Sequence, residues 1–183
     1  FFFAPLIGVY AAYLWRLEHR GHNWNLIMTA PVRPFALYAA KFCAMAKMAF
    51  LTQGWLLVLF LVGGKLGAGL AGFPPPEILL WLLRGAVGGL PIIAIQLLLS
   101  MVIRNFALPV LMALGGSILG LMATTSNAGL FWPYSLMLMG MNSNRTEDVM
   151  TGQLPGFFLS CIIFLAIFLL TADAVLAKQD VKA

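Results

Sequence analysis

Forty consecutive residues, 105–144, contain no Asp, Glu, Lys or Arg. As helix, that run would be about 60 Å long, roughly twice the hydrocarbon thickness of a bilayer. Shorter uncharged runs cover 1–15, 48–64, 85–103 and 149–172. A chain built this way must lie mostly in an apolar solvent, because a membrane-crossing helix needs about 20 mostly apolar residues. Composition agrees: 9% of residues are charged, against roughly 25% in soluble domains. Disorder is excluded as well, since disordered chains are polar and poor in aromatics and this one is 13% aromatic. We expect an all-α polytopic membrane protein with one transmembrane domain over 1–183 and spans at 1–15, 42–63, 79–103, 106–123 and 154–176. The run 1–15 is short for a span, starts with Phe and lacks a basic n-region, so it does not read as a signal peptide. We read it as the remainder of a span that begins before Phe1.

Orientation follows from the basic residues, which concentrate on the cytoplasmic side of membrane proteins. With 16–41 placed in the cytoplasm, that side collects Arg16, Arg20, Arg33, Lys41, Lys47, Arg104, Lys178 and Lys182, and the opposite side Lys65, Arg84 and Arg145. Eight against three puts both 16–41 and the C-terminus in the cytoplasm. The same topology accounts for the net charge of +5, so no nucleic-acid partner is called for. The interfacial Lys47, Arg84 and Asp173 are all close enough to a span end to snorkel.

The long uncharged run breaks up in its second half. Thr124, Thr125, Ser126 and Asn127 are polar, Pro133 interrupts a helical ladder, and 136–141 is too short to cross. A full second span there would also carry Lys178 and Lys182 to the outside. The segment 124–153 therefore reads as an outer loop with a re-entrant element at 130–141, whose irregular backbone is tolerated only where protein buries it. Trp132 and Tyr134 suit the headgroup level. Cys43 and Cys161 lie in different halves of their spans and read as small core residues rather than a disulfide.

The cytoplasmic stretch 16–41 is the most informative. Leu17, Trp24 and Met28 fall at i, i+7 and i+11, on one face of an amphipathic helix whose other faces carry Glu18, Arg20, His22 and Asn25. Pro31 and Pro34 end that helix, and a new one enters the next span past Tyr38 and Lys41. Glu18-His19-x-x-His22 invites a zinc reading, but its order is not that of a His-Glu-x-x-His site and no third ligand is evident, so we assign no metal. No P-loop Gly-x-x-x-x-Gly-Lys-Ser/Thr occurs, and the chain has no nucleotide cradle of that kind.

Glu18, Asn23-Trp24, Pro31 and Tyr38-x-x-Lys41, in that order between two spans, resemble the permease subunits of ABC exporters, of the type 2 class and closest to lantibiotic- or bacteriocin-immunity and multidrug permeases. The resemblance implies a type 2 exporter transmembrane fold with six spans, about five of them within this chain, in a bacterial inner membrane. It implies ABC ATPase subunits that bind ATP and Mg, a second permease copy or paralogue, and no cofactor in this chain. It also makes 16–41 the coupling segment, with Glu18, Arg20, Trp24 and Asn25 as the positions that meet the ATPase.

Mid-membrane polar groups are functional candidates by default. Gln53, Gln96, Ser100, Ser117 and Ser160 are those available, and we single out Gln53, Gln96 and Ser100 as candidates for the pathway or for helix packing. Gly85, Gly88, Gly89, Gly115, Gly116 and Gly120 form two small-residue sets suited to close helix approach. Ten Met side chains offer an adaptable apolar filling. The function this supports is ATP-driven export of an amphipathic or lipophilic cargo, such as a peptide antibiotic, a drug or a lipid. Its competitors are an intramembrane enzyme acting on lipid or peptide, and a structural subunit of a membrane complex.

Overall fold

The structure is a computed structural model that describes residues 2–19, 33–126, 128–143, 147–148 and 150–179. Among these residues all regular structure is helical. Long helices are α1 (Phe3–His19), α2 (Pro34–Val62), α3 (Glu77–Val102), α4 (Ala107–Thr125) and α6 (Leu154–Gln179), and the short α5 (Pro133–Gly140) precedes α6. A π-turn, Gly63–Gly67, ends α2, and a 3-10 turn, Gly129–Phe131, leads into α5. The helices coincide with the expected spans to within a few residues, except that α2 begins eight residues before the apolar run, at the Pro34 that supplies its first turn.

Helices α2, α3, α4 and α6 are each long and apolar enough to cross a membrane. They are not equivalent. Half of the most apolar window of α3 is buried by other helices, against 17–28% for the other three. It touches every other long helix and α5. On α2 and α6 the large side chains Trp55, Leu59, Phe60, Ile162 and Leu170 stand exposed. That is the pattern of helices whose outer faces meet lipid tails rather than water.

The turn between α3 and α4 is tight, as the pair Arg104-Asn105 suggests. The Asn105 side chain accepts the Ala107 amide at 2.8 Å and thereby satisfies one of the free donors that open α4. Lys65 closes the turn after α2 by donating to the Ala71 carbonyl at 3.0 Å, with its ammonium 4.3 Å from the centre of the Phe73 ring.

The segment before α6 forms a buried helix, not an interfacial loop. Tyr134, Ser135, Leu136, Met137, Met139 and Gly140 of α5 are all buried, between α3, α4 and α6. Glycines make this approach possible. A Cβ on Gly88 would stand 2.6 Å from the Leu136 carbonyl oxygen, and one on Gly140 2.6 Å from that of Arg84. On the α4 side, Gly120 lies against the Tyr134 backbone, where a Cβ would come within 3.0 Å. Backbone meets backbone on both flanks of α5. Ser135 Oγ lies within hydrogen-bond distance of the Gly129 and Trp132 carbonyls, which compete for its one hydrogen, and Trp132 Nε1 donates to the Gly116 carbonyl at 3.0 Å.

Three sequence-based expectations are corrected here. Tyr134 is 4% exposed and points into the bundle instead of to a headgroup layer, because Gln96 of α3 donates to its hydroxyl at 2.5 Å. Arg84 does not snorkel: it is 3% exposed and paired with Asp148. Cys43 is exposed on the outer face of α2 rather than in the core, while Cys161 is buried, and both are free thiols.

The glycine contacts give a direct test. Gly88→Val should lower stability by about 1–3 kcal/mol, the usual cost of overpacking, because Leu136 backbone cannot move aside as a side chain would. Gly115→Ala, where a Cβ meets nothing within 4 Å, should be neutral or slightly stabilising through helix propensity. Thermal unfolding of the two variants in detergent would show equal losses if the close approach were unimportant.

Candidate functional site: the roots of the segment 20–32

Residues 20–32 lie outside the described residues, and Arg20, His22, Trp24 and Asn25 with them. At the end of α1, Trp15, Glu18 and His19 fall at i, i+3 and i+4, on one helix face. At the start of α2, Tyr38 and Lys41 share a face by the same spacing. The two faces meet.

Lys41 is the centre of this meeting. Its ammonium lies 2.9 Å from Glu18 Oε1, donates to the Leu14 carbonyl at 3.0 Å, and stands 5.2 Å from the Trp15 ring centre, within cation–π range. The side chains of Lys41 and Glu18 are only 10% and 15% exposed. A cation at the C-terminal part of α1 also complements that helix's dipole. One turn earlier, Tyr38 is fully buried, and its hydroxyl donates to the Ala94 carbonyl of α3 at 2.6 Å. Phe35 stacks on Tyr38, with ring centres 6.0 Å apart.

His19 completes the cluster, with Nε2 at 3.2 Å from the Ser100 carbonyl on α3. A ring nitrogen facing a carbonyl must carry the hydrogen. Arg16 reaches over the Phe106 ring, 5.6 Å from its centre, at the entrance to α4. The ends of α1 and α2 are thus tied to each other by charge, and both are tied to α3 by hydrogen bonds. The junction binds three helices at one point.

The remaining sequence candidates sit elsewhere. Gln96 is fully buried and links α3 to α5 through Tyr134. Gln53 is 3% exposed and its amide nitrogen is 3.5 Å from Met141 Sδ just after α5. Ser100 is buried, and its backbone rather than its hydroxyl meets His19. Sequence reasoning passed over a second charged cluster at the other end of the bundle. Asp148 accepts from Arg84 Nη2 at 2.7 Å, from Trp81 Nε1 at 3.3 Å and from the Met150 amide at 2.9 Å. Burial alone would raise the Asp148 carboxyl, but the hydrogen bonds from Arg84, the Met150 amide and Trp81, with the Arg84 charge, outweigh it and hold the group below its ordinary value. This latch fastens the loop after α5 to the first turns of α3. Its only sequence signal was an Arg inside an apolar run.

A family model described as ABC-2 family transporter protein matches residues 1–120. The chain belongs to that family. No curated protein and no solved structure gives a match. The chain is therefore the permease component of an ABC transporter, a multi-pass membrane protein that works with an ATPase carried by a separate component. The matched stretch contains the whole junction of α1, α2 and α3, together with Gln53, Gln96 and Ser100. Helices α5 and α6 and the Asp148 side of the latch fall beyond it.

Two outcomes are expected of this permease. Lys41→Met alone should cost about 1–3 kcal/mol by stranding the Glu18 carboxylate, and Glu18→Leu alone a similar amount. The double variant should be less destabilised than the sum, with a coupling of about 0.5–3 kcal/mol in thermal melts. For the latch, a carboxyl with a lowered pKa stabilises above its unfolded value, about 3.9, and the contribution is lost as pH falls through the lowered folded value. The protection of the Met150 amide, the intrinsic exchange rate over the observed rate at the same pH, should thus stay flat from pH 8 to about 5 and fall only below about 4. Asp148→Asn should lower that protection throughout.

Proposed function

We propose that this ABC-2 permease is an exporter subunit that moves an amphipathic or lipophilic cargo, such as a peptide antibiotic, a drug or a lipid, out of a bacterial cell. It works beside a second permease, identical or paralogous, in the inner membrane, with 16–41 and the C-terminus in the cytoplasm. ATPase subunits carrying ATP and Mg press on the segment 20–32, where Arg20, Trp24 and Asn25 make the contact. Glu18 positions that segment instead of meeting the ATPase itself, since Lys41 holds its carboxylate.

The observation that carries this reading is the Glu18–Lys41 pair. It joins the two ends from which 20–32 departs, so a displacement of that segment moves α1 and α2 together. Tyr38 and His19 pass the displacement to α3, the most buried helix. An apolar bundle in which the buried cations Lys41 and Arg84 are both paired suits a cargo that is itself largely apolar.

The test is assembly and transport in one preparation. Trp24→Ala and Glu18→Ala should still insert in the membrane but retain less ATPase on co-purification and lose ATP-dependent uptake into inside-out vesicles. Ser160→Ala, on the last span and away from the junction, should retain both. Wild-type ATPase retention and uptake in Trp24→Ala and Glu18→Ala would remove the coupling role, and uptake by right-side-out vesicles alone would reverse the direction.

A further inference from the structure

A cavity of about 100 Å³ lies where α1, α2, α3, α4 and α5 converge. Phe3, Gln53, Ser117, Tyr134, Met137 and Met141 line it, and no charged side chain does. Its polar groups are buried and incompletely used. Gln53 is 3% exposed, and its Oε1 has no hydrogen-bond partner among the described residues, while its amide nitrogen has only the weak thioether of Met141 at 3.5 Å. Tyr134 spends one hydrogen-bonding position on Gln96 and keeps another, since a phenol both donates and accepts. Ser117 donates to the Ala113 carbonyl at 2.7 Å and keeps oxygen lone pairs.

A buried amide oxygen without a partner is costly, about 1–3 kcal/mol, and in an apolar bundle no bulk water relieves it. The volume exceeds the roughly 10–15 Å³ that one water needs, and a water site requires two to four polar partners. Both conditions hold. The absence of charge excludes an ionic guest, because an ion here would be desolvated without a counter-charge.

We propose that this cavity binds uncharged hydroxyl groups, which donate to Gln53 Oε1 and Ser117 Oγ and exchange hydrogen bonds with the Tyr134 phenol. Either water or the hydroxyl of a small organic molecule supplies this chemistry. The site lies inside one permease, and it does not depend on cargo identity or on the coupling role of 20–32. It gives Gln53 a purpose that helix packing leaves unexplained.

Radiolytic footprinting of the full chain in nanodiscs tests this, because a bound water labels the side chains beside it whatever their exposure to bulk. Met137 and Tyr134 should be oxidised at least 5-fold faster than Met150, Met101 and Tyr38, which are equally buried but do not line the cavity. Gln53→Leu should abolish the difference while melting near wild type. In a second arm, a photoreactive diazirine butanol is added and irradiated. An adduct at Tyr134 or Met137 that Gln53→Leu removes assigns the hydroxyl to an organic molecule, and fast oxidation without an adduct assigns it to water. Oxidation of Met137 and Tyr134 at the control rate, with no adduct, would overturn the proposal. So would labelling or an adduct that persists unchanged in Gln53→Leu, whether or not that variant alters melting.

Discussion

Lipid tails are as apolar as leucine, so burial of apolar surface cannot by itself hold one membrane helix against another. What replaces it here is the approach of backbone to backbone at Gly88 and Gly140. At those two points the backbones of α5 and α3 touch directly, and dispersion contacts with the flanking side chains of Met137 and Met141 add to them. The other features of this end of the bundle depend on this. Tyr134 reaches Gln96 only because α5 is seated that deeply, and Met137 and Met141 border the polar cavity for the same reason. The Arg84–Asp148 latch then fastens the chain that leaves α5. A side chain at Gly88 would disturb all of these together.

The polar interactions divide by position. At the junction of α1 and α2, and again at the latch, a buried cation is paired with a carboxylate that compensates its charge. Between them, the buried groups are neutral: Tyr38 to Ala94, Gln96 to Tyr134, Ser117 to Ala113. An unpaired charge in that middle zone would cost several kcal/mol, and a neutral pair far less. The distribution explains why residues 64 apart, Arg84 and Asp148, had to be brought together. Arg84 sits seven residues into α3, where it is 3% exposed and has Asp148 as its counter-charge.

Much of the fold was legible in the sequence, because uncharged length is a direct report of the solvent around a helix. The tight turn at Asn105, the close packing of the two glycine sets and the family resemblance through Tyr38-x-x-Lys41 rest on local spacing that one chain displays. Of the six glycines singled out, Gly115 faces open space and Gly89 makes only an ordinary contact with Met137, so small size marked the helix and not the contact point. The inward turn of Tyr134 was not legible, since an aromatic beside Pro133 fits an interfacial belt equally well until Gln96 is known to face it. Nor was the latch, whose partners lie on separate elements. Cys43 was misread for a related reason: α2 is apolar all round, and nothing in its periodicity distinguishes the face that meets α1 and α3 from the face that meets lipid. The junction at Glu18 and Lys41 was half legible. Both residues were singled out, but one as a partner contact and the other as an anchor, when each is the other's counter-ion.

That pairing constrains how a cytoplasmic push would travel under the proposed coupling. A helix joined to its neighbour only by lipid-like packing can slide, whereas Lys41 holds Glu18, the Leu14 carbonyl and the Trp15 ring at once. Sliding α1 past α2 would break all three contacts, so the pair moves as one body. Tyr38 and His19 attach that body to α3 at Ala94 and Ser100, both within the last nine residues of the helix. Helix α3 carries Pro91 just before this attachment, and a proline forfeits one bond of the helical ladder. Pro91 thus lies between the segment gripped by Tyr38 and His19 and the stretch at Arg84–Gly88 on which the α5 backbone packs, while the Gln96–Tyr134 hydrogen bond ties α5 to the nearer segment as well. A displacement from the ATPase side would bend α3 there before it could disturb the Gly88 contact. Because α5 is bonded to Gln96 on one side of Pro91 and packed on Arg84 and Gly88 on the other, such a change of angle would reach α5 through the Gln96–Tyr134 bond.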